Sequence, residues 1–237
     1  MYNSILYTVY SLVVFIVRDY FKSDQYNPLA NSIAQQLFEQ ILLGELKPNE
    51  KIVETTYAEK FNLSRSPVRE AFYLLGTEGI IDRIPRKGAY VREYSEIEIQ
   101  DLLDVRNQME YMAAEKIENP SSNEKLLEKM KTITEQMAVC KDIIEYTHLN
   151  FAFHSILIEF SGSTIIRDVY DKISLRLMRI QAIHFELSES LAKSISEHQE
   201  LYEALKVGDM ELFKQLLRAH TGGVIINLRK YKSGAFI

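Results

Sequence analysis

Apolar residues recur at four-residue steps near the start of the polar part of the chain. Ile33, Leu37 and Ile41 form one stripe, which predicts an amphipathic helix opening at Pro28 and ending at Gly44. Glu45 to Glu50 reads as a turn built on Pro48 and Asn49, and Glu54 to Phe61 as a short helix. Asn62 and Leu63 connect it to a second helix that Ser64 can cap. Pro67 is tolerated in the first turn of that helix because the amides there lack helical partners. This helix is expected to bury Val68, Ala71, Phe72 and Leu75 and to stop near Gly76 to Gly79. Ile80 to Ile84 and Ala89 to Val91 then predict two short strands around the turn Pro85, Arg86, Lys87, Gly88. Helix, tight turn and helix followed by a hairpin with a basic tip is DNA-binding geometry.

From Ser95 the period turns helical and stays so, beginning with a capping box in which Glu98 follows Ser95 by three residues. The pattern predicts helices over about 95–118, 122–139, 141–161, 163–187, 189–207 and 209–230, with breaks at Asn119-Pro120-Ser121-Ser122, Ser161-Gly162 and Gly208-Asp209. The expected fold class is therefore mainly α. A winged helix-turn-helix with a two-strand wing occupies 25–94, and an all-α helical bundle occupies 95–237. Residues 1–24 are an apolar extension that need not belong to the fold.

A length of 237 residues suits two modules, and the formal net charge is −5. Taken alone, that sign argues against nucleic acid, since phosphate contacts need Lys and Arg. The distribution reverses the argument. Between Lys60 and Arg92 stand seven basic residues (Lys60, Arg65, Arg69, Arg83, Arg86, Lys87, Arg92) against three acidic ones (Glu70, Glu78, Asp82). The single cysteine, Cys140, excludes an internal disulfide and points to a reducing, cytoplasmic setting. Met1 to Val17 carries no charge, yet Tyr, Thr, Ser and Asn dilute it and a span needs roughly 20 apolar residues. It reads as a membrane anchor, as an N-terminal arm, or as an upstream extension.

Two groups of residues carry candidate chemistry. In the stretch SRSPVREAF, Ser64 to Phe72, Arg65 and Arg69 lie four apart on one helical face with Ser64 and Ser66 beside them. That face can contact base edges and phosphates, or it can be a solvated face with Arg69 paired to a carboxylate. Downstream, Asn150 and His154 share a helix face, and His198 and His220 fall on two later helices. Three imidazoles and an amide converging in a bundle would suit a divalent transition metal such as zinc. Taken singly, each histidine is equally a surface or core residue. His148 is about 240 degrees round the helix from His154.

The chain resembles the GntR family of regulators from Pro28 to Val91, through ILLGELKPNEKI, YAEKFNLSRSPVREAF and LLGTEGIIDRIPRKGAYV. The resemblance implies that Arg65 and Arg69 read the operator and that Ser64 and Ser66 hold backbone phosphates. Lys87 with Gly88 would set the wing in the minor groove. Asn49 stands where the family has glycine, and asparagine also tolerates the left-handed conformation. The C-terminal part resembles the FCD ligand-binding domain of the FadR branch, through DLLDVRNQMEYMAAEKI, NFAFH and EHQELYEALKVGDMELFKQLLRAH. By that resemblance Asn150, His154, His198 and His220 are the metal ligands, with Asn150 in place of the commoner Asp. His184 matches no ligand position, and both His184 and His148 are read as structural. Arg106 would face the effector cavity, where a guanidinium suits a carboxylate; its alternative is a helical pair with Glu110. Arg176 and Arg179 are further candidates for the same cavity.

The expectation is a homodimeric, cytoplasmic transcription regulator, not an enzyme. It would repress from a near-palindromic operator until a small carboxylate binds beside a metal. Two other classes stay open on sequence alone: a metal-dependent, hydrolase-like enzyme using the histidines, and a membrane-attached regulator resting on Met1 to Val17.

Overall fold

The computed structural model describes residues 27–185 and 188–220. The extension 1–24, with Met1 to Val17, lies outside the described residues. So do the C-terminal end of the last predicted helix, beyond residue 220, and positions 186–187 at the end of the helix expected over 163–187. The chain divides into two compact units at Tyr94/Ser95.

The first unit opens with α1, Pro28–Leu42. Proline at its first position loses no helical hydrogen bond, and the Asn27 side chain accepts from Leu29 N. Ala30, Ile33, Ala34, Leu37, Phe38 and Ile41 turn inward as the stripe predicted. Gly44 at φ 69° ends the run, and Asn49 at φ 63° takes the left-handed turn position. Next come β1, Lys51–Ile52, then α2, Glu54–Lys60, and α3, Arg65–Thr77. The α2–α3 turn places Asn62 at φ 53°. Val68, Ala71, Phe72 and Leu75 of α3 are buried against α1 and α2, with Tyr57 meeting the Phe72 ring edge-on. The backbone amide of Asn27 donates to Glu70 Oε1 at 3.0 Å, tying the start of α1 to α3.

The wing pairs β2, Ile81–Ile84, with β3, Gly88–Val91, in antiparallel register with Ile81 opposite Val91. The sheet has three strands in the order β1-β3-β2, one more than the two-strand wing expected. β1 is two residues long, too short for any period to show, and only its pairing of Lys51 with Tyr90 defines it. At the tip Arg86 has φ 66° and Gly88 φ 110°. A Cβ on Gly88 would approach Lys51 Cε to 3.3 Å, but that is the far end of an exposed, flexible side chain, so it is the positive φ that calls for glycine here.

The second unit is helical. It runs α4, Glu96–Ala114, a 3-10 turn, Pro120–Ser122, α5, Glu124–Val139, α6, Ile143–Phe160, α7, Thr164–Phe185, α8, Ser188–Val207, and α9 over 210–220. Both halves of the Ser95/Glu98 capping box form. α4 stops four residues short of the expected 118: its last turn tightens as Lys116 N and Ile117 N bond carbonyls three residues back, which lets Ile117 tuck inward before Pro120. α6 is apolar on nearly all sides and packs against α4, α5 and α7. Such a helix belongs at the centre of a bundle, so polar side chains on it are placed where no solvent reaches.

Candidate functional site

In the first unit the exposed end of α3 carries Ser64, Arg65, Ser66 and Arg69. Ser64 occupies the N-cap position with extended backbone, φ −71° and ψ 162°, but its hydroxyl makes no capping bond, contrary to the cap the sequence suggested. The hydroxyl and the first amides of α3 thus stay available to an outside acceptor, and the positive end of the helix dipole favours an anion there. Arg69 is paired: its Nε lies 3.1 Å from Glu54 Oε2 on α2, while 62 % of its side chain remains exposed. A guanidinium held by Nε still presents its outer edge, the edge that can make bidentate contacts. Arg86, Lys87 and Gly88 are exposed at the wing tip. Between the tip and α2 runs a groove of about 630 Å³ whose lining includes Lys51, Arg83, Arg86 and Lys87.

The second unit brings His154 of α6, His198 of α8 and His220 of α9 together, all buried. His154 Nε2 lies 3.2 Å from His198 Nε2 and 3.4 Å from His220 Nε2. The opposite nitrogens are each held by an acceptor. His198 Nδ1 reaches the Ser194 carbonyl at 2.7 Å, and His220 Nδ1 reaches Glu197 Oε2 at 2.7 Å. His154 Nδ1 sits 3.1 Å from Glu110 Oε2, a close polar contact that is an ion pair only when the ring is protonated and that falls short of a well-formed hydrogen bond. Carbonyl and carboxylate oxygens only accept, so the protons belong on Nδ1 and the three Nε2 lone pairs converge. Burial, with Arg106 adding to it, pulls the pKa of His154 down to about 4, and burial beside the other two rings holds His198 well below the ordinary imidazole range.

Glu110 supports this centre from α4. Its Oε1 accepts from Arg106 Nε at 2.7 Å and from the Tyr170 hydroxyl at 3.1 Å, and both Arg106 and Glu110 are buried. Burial pushes the Glu110 carboxyl up, but the Arg106 guanidinium and His154 outweigh it and hold it below the usual carboxylate range. The helical pair is thus the arrangement Arg106 adopts, although its Nη2 remains buried without a partner. Asn150, one turn before His154 on α6, is also buried, with Nδ2 unpartnered. Arg179 is buried and Arg176 half-buried on α7. Among the described residues neither His148 nor His184 joins the three-imidazole group. Sequence reasoning missed Glu54, Ser194 and Glu197, and saw Glu110 only as a partner for Arg106. Ser194 stands four residues before His198, and that helical spacing was the available signal, whereas Glu197 meets His220 of another helix and carried none.

Residues 29–91 match the family described as bacterial regulatory proteins of the gntR family, and residues 101–223, more than half of the chain, match the FCD domain. The chain belongs to the GntR family, in the branch with an FCD domain. It is 28 % identical over 205 residues to the HTH-type transcriptional regulator YdhC of Bacillus subtilis, covering 85 % of this chain and 92 % of that protein. It is likewise 28 % identical over 193 residues to the gluconate operon transcriptional repressor of Bacillus licheniformis, covering 78 % of this chain and 79 % of the relative. A GntR transcriptional regulator from Rhodococcus sp. RHA1 shares the fold, with a TM-score of 0.73 at 21 % identity over 88 % of this chain and 99 % of that one. A GntR regulator of this kind is a DNA-binding transcription regulator and not an enzyme. Among the described residues no helix is long and apolar enough to cross a membrane.

Proposed function

We propose that this GntR regulator is a cytoplasmic homodimeric repressor whose operator affinity is set by a divalent metal and a small carboxylate in its FCD domain. The DNA-binding domain, 25–94, grips the duplex. Arg65 and Arg69 read base edges, Ser64 and Ser66 hold phosphates, and Lys87 with Gly88 enters the minor groove. A single small module discriminates weakly, so two copies on a near-palindrome supply the specificity. Repression as the direction of control is supported by the relative named as a repressor of the gluconate operon.

The observation that carries the sensing half is the convergence of three Nε2 atoms whose rings are tautomerically fixed by Glu110, Ser194 and Glu197. Two zinc–nitrogen bonds of about 2.0–2.1 Å at a tetrahedral angle set their nitrogens about 3.4 Å apart, and the two spacings from His154 are 3.2 and 3.4 Å. The donor set therefore fits zinc or a similar ion, held by His154, His198 and His220 with Asn150 as the fourth protein ligand. Bound there, the ion would supply positive charge to an anion beside it. Arg106, Arg176 and Arg179 orient that anion's second carboxylate or its hydroxyls, and Arg106 Nη2 is already a buried donor in need of an acceptor.

Effector and operator then oppose each other through one coupling free energy, so each weakens the other by the same factor. The test is retention of an operator fragment by the protein, with zinc present in solution, during titration with a panel of small carboxylates that includes gluconate. Release by at least one of them, lost in Arg106→Ala, is expected; retention unchanged by the whole panel contradicts the reading.

A further inference from the structure

The charges around the three imidazoles have a consequence for how an ion is captured. Because their Nδ1 atoms face acceptors and their Nε2 atoms face one another, the rings are neutral ligands. Asn150 adds only a neutral amide. Among the described residues no carboxylate oxygen or thiolate joins the group. The two carboxylates behind the rings are already matched. Glu110 is held by Arg106 at 2.7 Å, and Glu197 lies 3.3 Å from Lys193 Nζ. A divalent ion entering this buried place would carry nearly its whole charge without local compensation, an arrangement that a low-dielectric interior strongly disfavours. Two donors in the same bundle, Asn150 Nδ2 and Arg106 Nη2, are buried and lack acceptors. Cation and anion are each short of what the other provides.

We infer that Asn150 makes metal capture conditional on an anion: the ion and a carboxylate bind as a pair, and the protein holds neither well alone. This rests on the metal reading above and adds to it a regulatory property. A site of this design reports the coincidence of two species and not the concentration of one. With a carboxylate at position 150 the ion would be compensated by the protein itself, and the dependence would fall away.

The test is a zinc titration of the full-length protein at neutral pH against a competing chromophoric chelator. It is run in nitrate and again in acetate, glycolate or succinate, with correction for the weak complexes these anions form with free zinc. At least one carboxylate should tighten zinc binding by about 5- to 150-fold, the ordinary range of coupling between sites, and zinc should tighten that carboxylate by the same factor. Asn150→Asp should bind zinc more tightly than the wild type in nitrate and lose most of the carboxylate's effect. Equal zinc affinity of the wild type in nitrate and in all three carboxylates overturns the inference while leaving the metal site standing. No zinc uptake under any condition overturns the metal site and the inference with it. The wild-type comparison decides the matter without the variant, should Asn150→Asp not fold.

Discussion

His154 and His198 face each other through their Nε2 atoms at 3.2 Å, with both rings fully buried. A neutral ring could donate to the other only by surrendering its Nδ1 proton, which would turn a lone pair towards Glu110 Oε2 or the Ser194 carbonyl. A cation between the rings removes that conflict. Zinc should therefore raise the melting temperature of the protein by favouring the native state, by about 2.7 kcal/mol when free ion exceeds Kd a hundredfold. His198→Ala should abolish the shift. Differential scanning calorimetry of both proteins with and without zinc, in a buffer that supplies a small carboxylate such as glycolate or succinate, checks this, and an equal rise in the variant would rule out His198 as a ligand.

Glu110 holds Arg106, Tyr170 and His154 at once with no exposure of its own. Removing one partner of a buried pair strands the other charge. Glu110→Gln should thus cost about 3–5 kcal/mol of stability, read as a lower urea midpoint with unchanged slope. A loss under about 1 kcal/mol would mean that Arg106 finds another acceptor at once.

On the DNA-binding side, Glu54 fixes the Nε edge of Arg69. If Arg69 reads bases as proposed, Glu54→Gln should lower the preference for operator over random DNA more than it lowers binding to random DNA, because it frees that guanidinium without removing charge that contacts phosphate. Lys87→Ala should do the opposite, weakening binding evenly across sequences and reducing the salt slope by about 1. Fluorescence anisotropy across a salt series separates the two behaviours.

Acid should destabilise the helical unit. His184 is buried with Nδ1 unpartnered, and burial, with His220 next, lowers its pKa from 6.5 to about 4. Between those values the unfolded chain binds the proton and the folded one does not, so stability is full above pH 6.5 and declines as pH falls towards 4. His154 acts in the same direction. Thermal unfolding of zinc-free protein should show a falling midpoint from pH 7 to pH 5, with a shallower fall in His184→Gln; a flat wild-type profile would contradict it.

Much of this was legible in the chain because it rests on period and position. The Ile33, Leu37, Ile41 stripe, the buried face of α3, the Ser95/Glu98 box and the left-handed Asn49 all follow from local rules. What escaped depends on contacts distant in sequence. β1 exists only through pairing with β3, whose Ala89 lies far along the chain from its partner Ile52. Glu54 reaches Arg69 across the helix-turn-helix, and Glu110 reaches His154 from another helix. The Ser64 hydroxyl shows the converse: a residue of the right type at the right position need not make the bond its type permits.

A basic recognition helix, presented twice in a dimer, should read a defined DNA sequence. The most direct measurement is selection of fragments from random and chromosomal DNA by the purified protein at moderate salt. Wild-type protein should enrich a near-palindromic site, and Arg65→Ala/Arg69→Ala, with an unchanged circular dichroism spectrum, should enrich none. Equal retention of all fragments by the wild type, or the same site enriched by the double variant, would contradict the account.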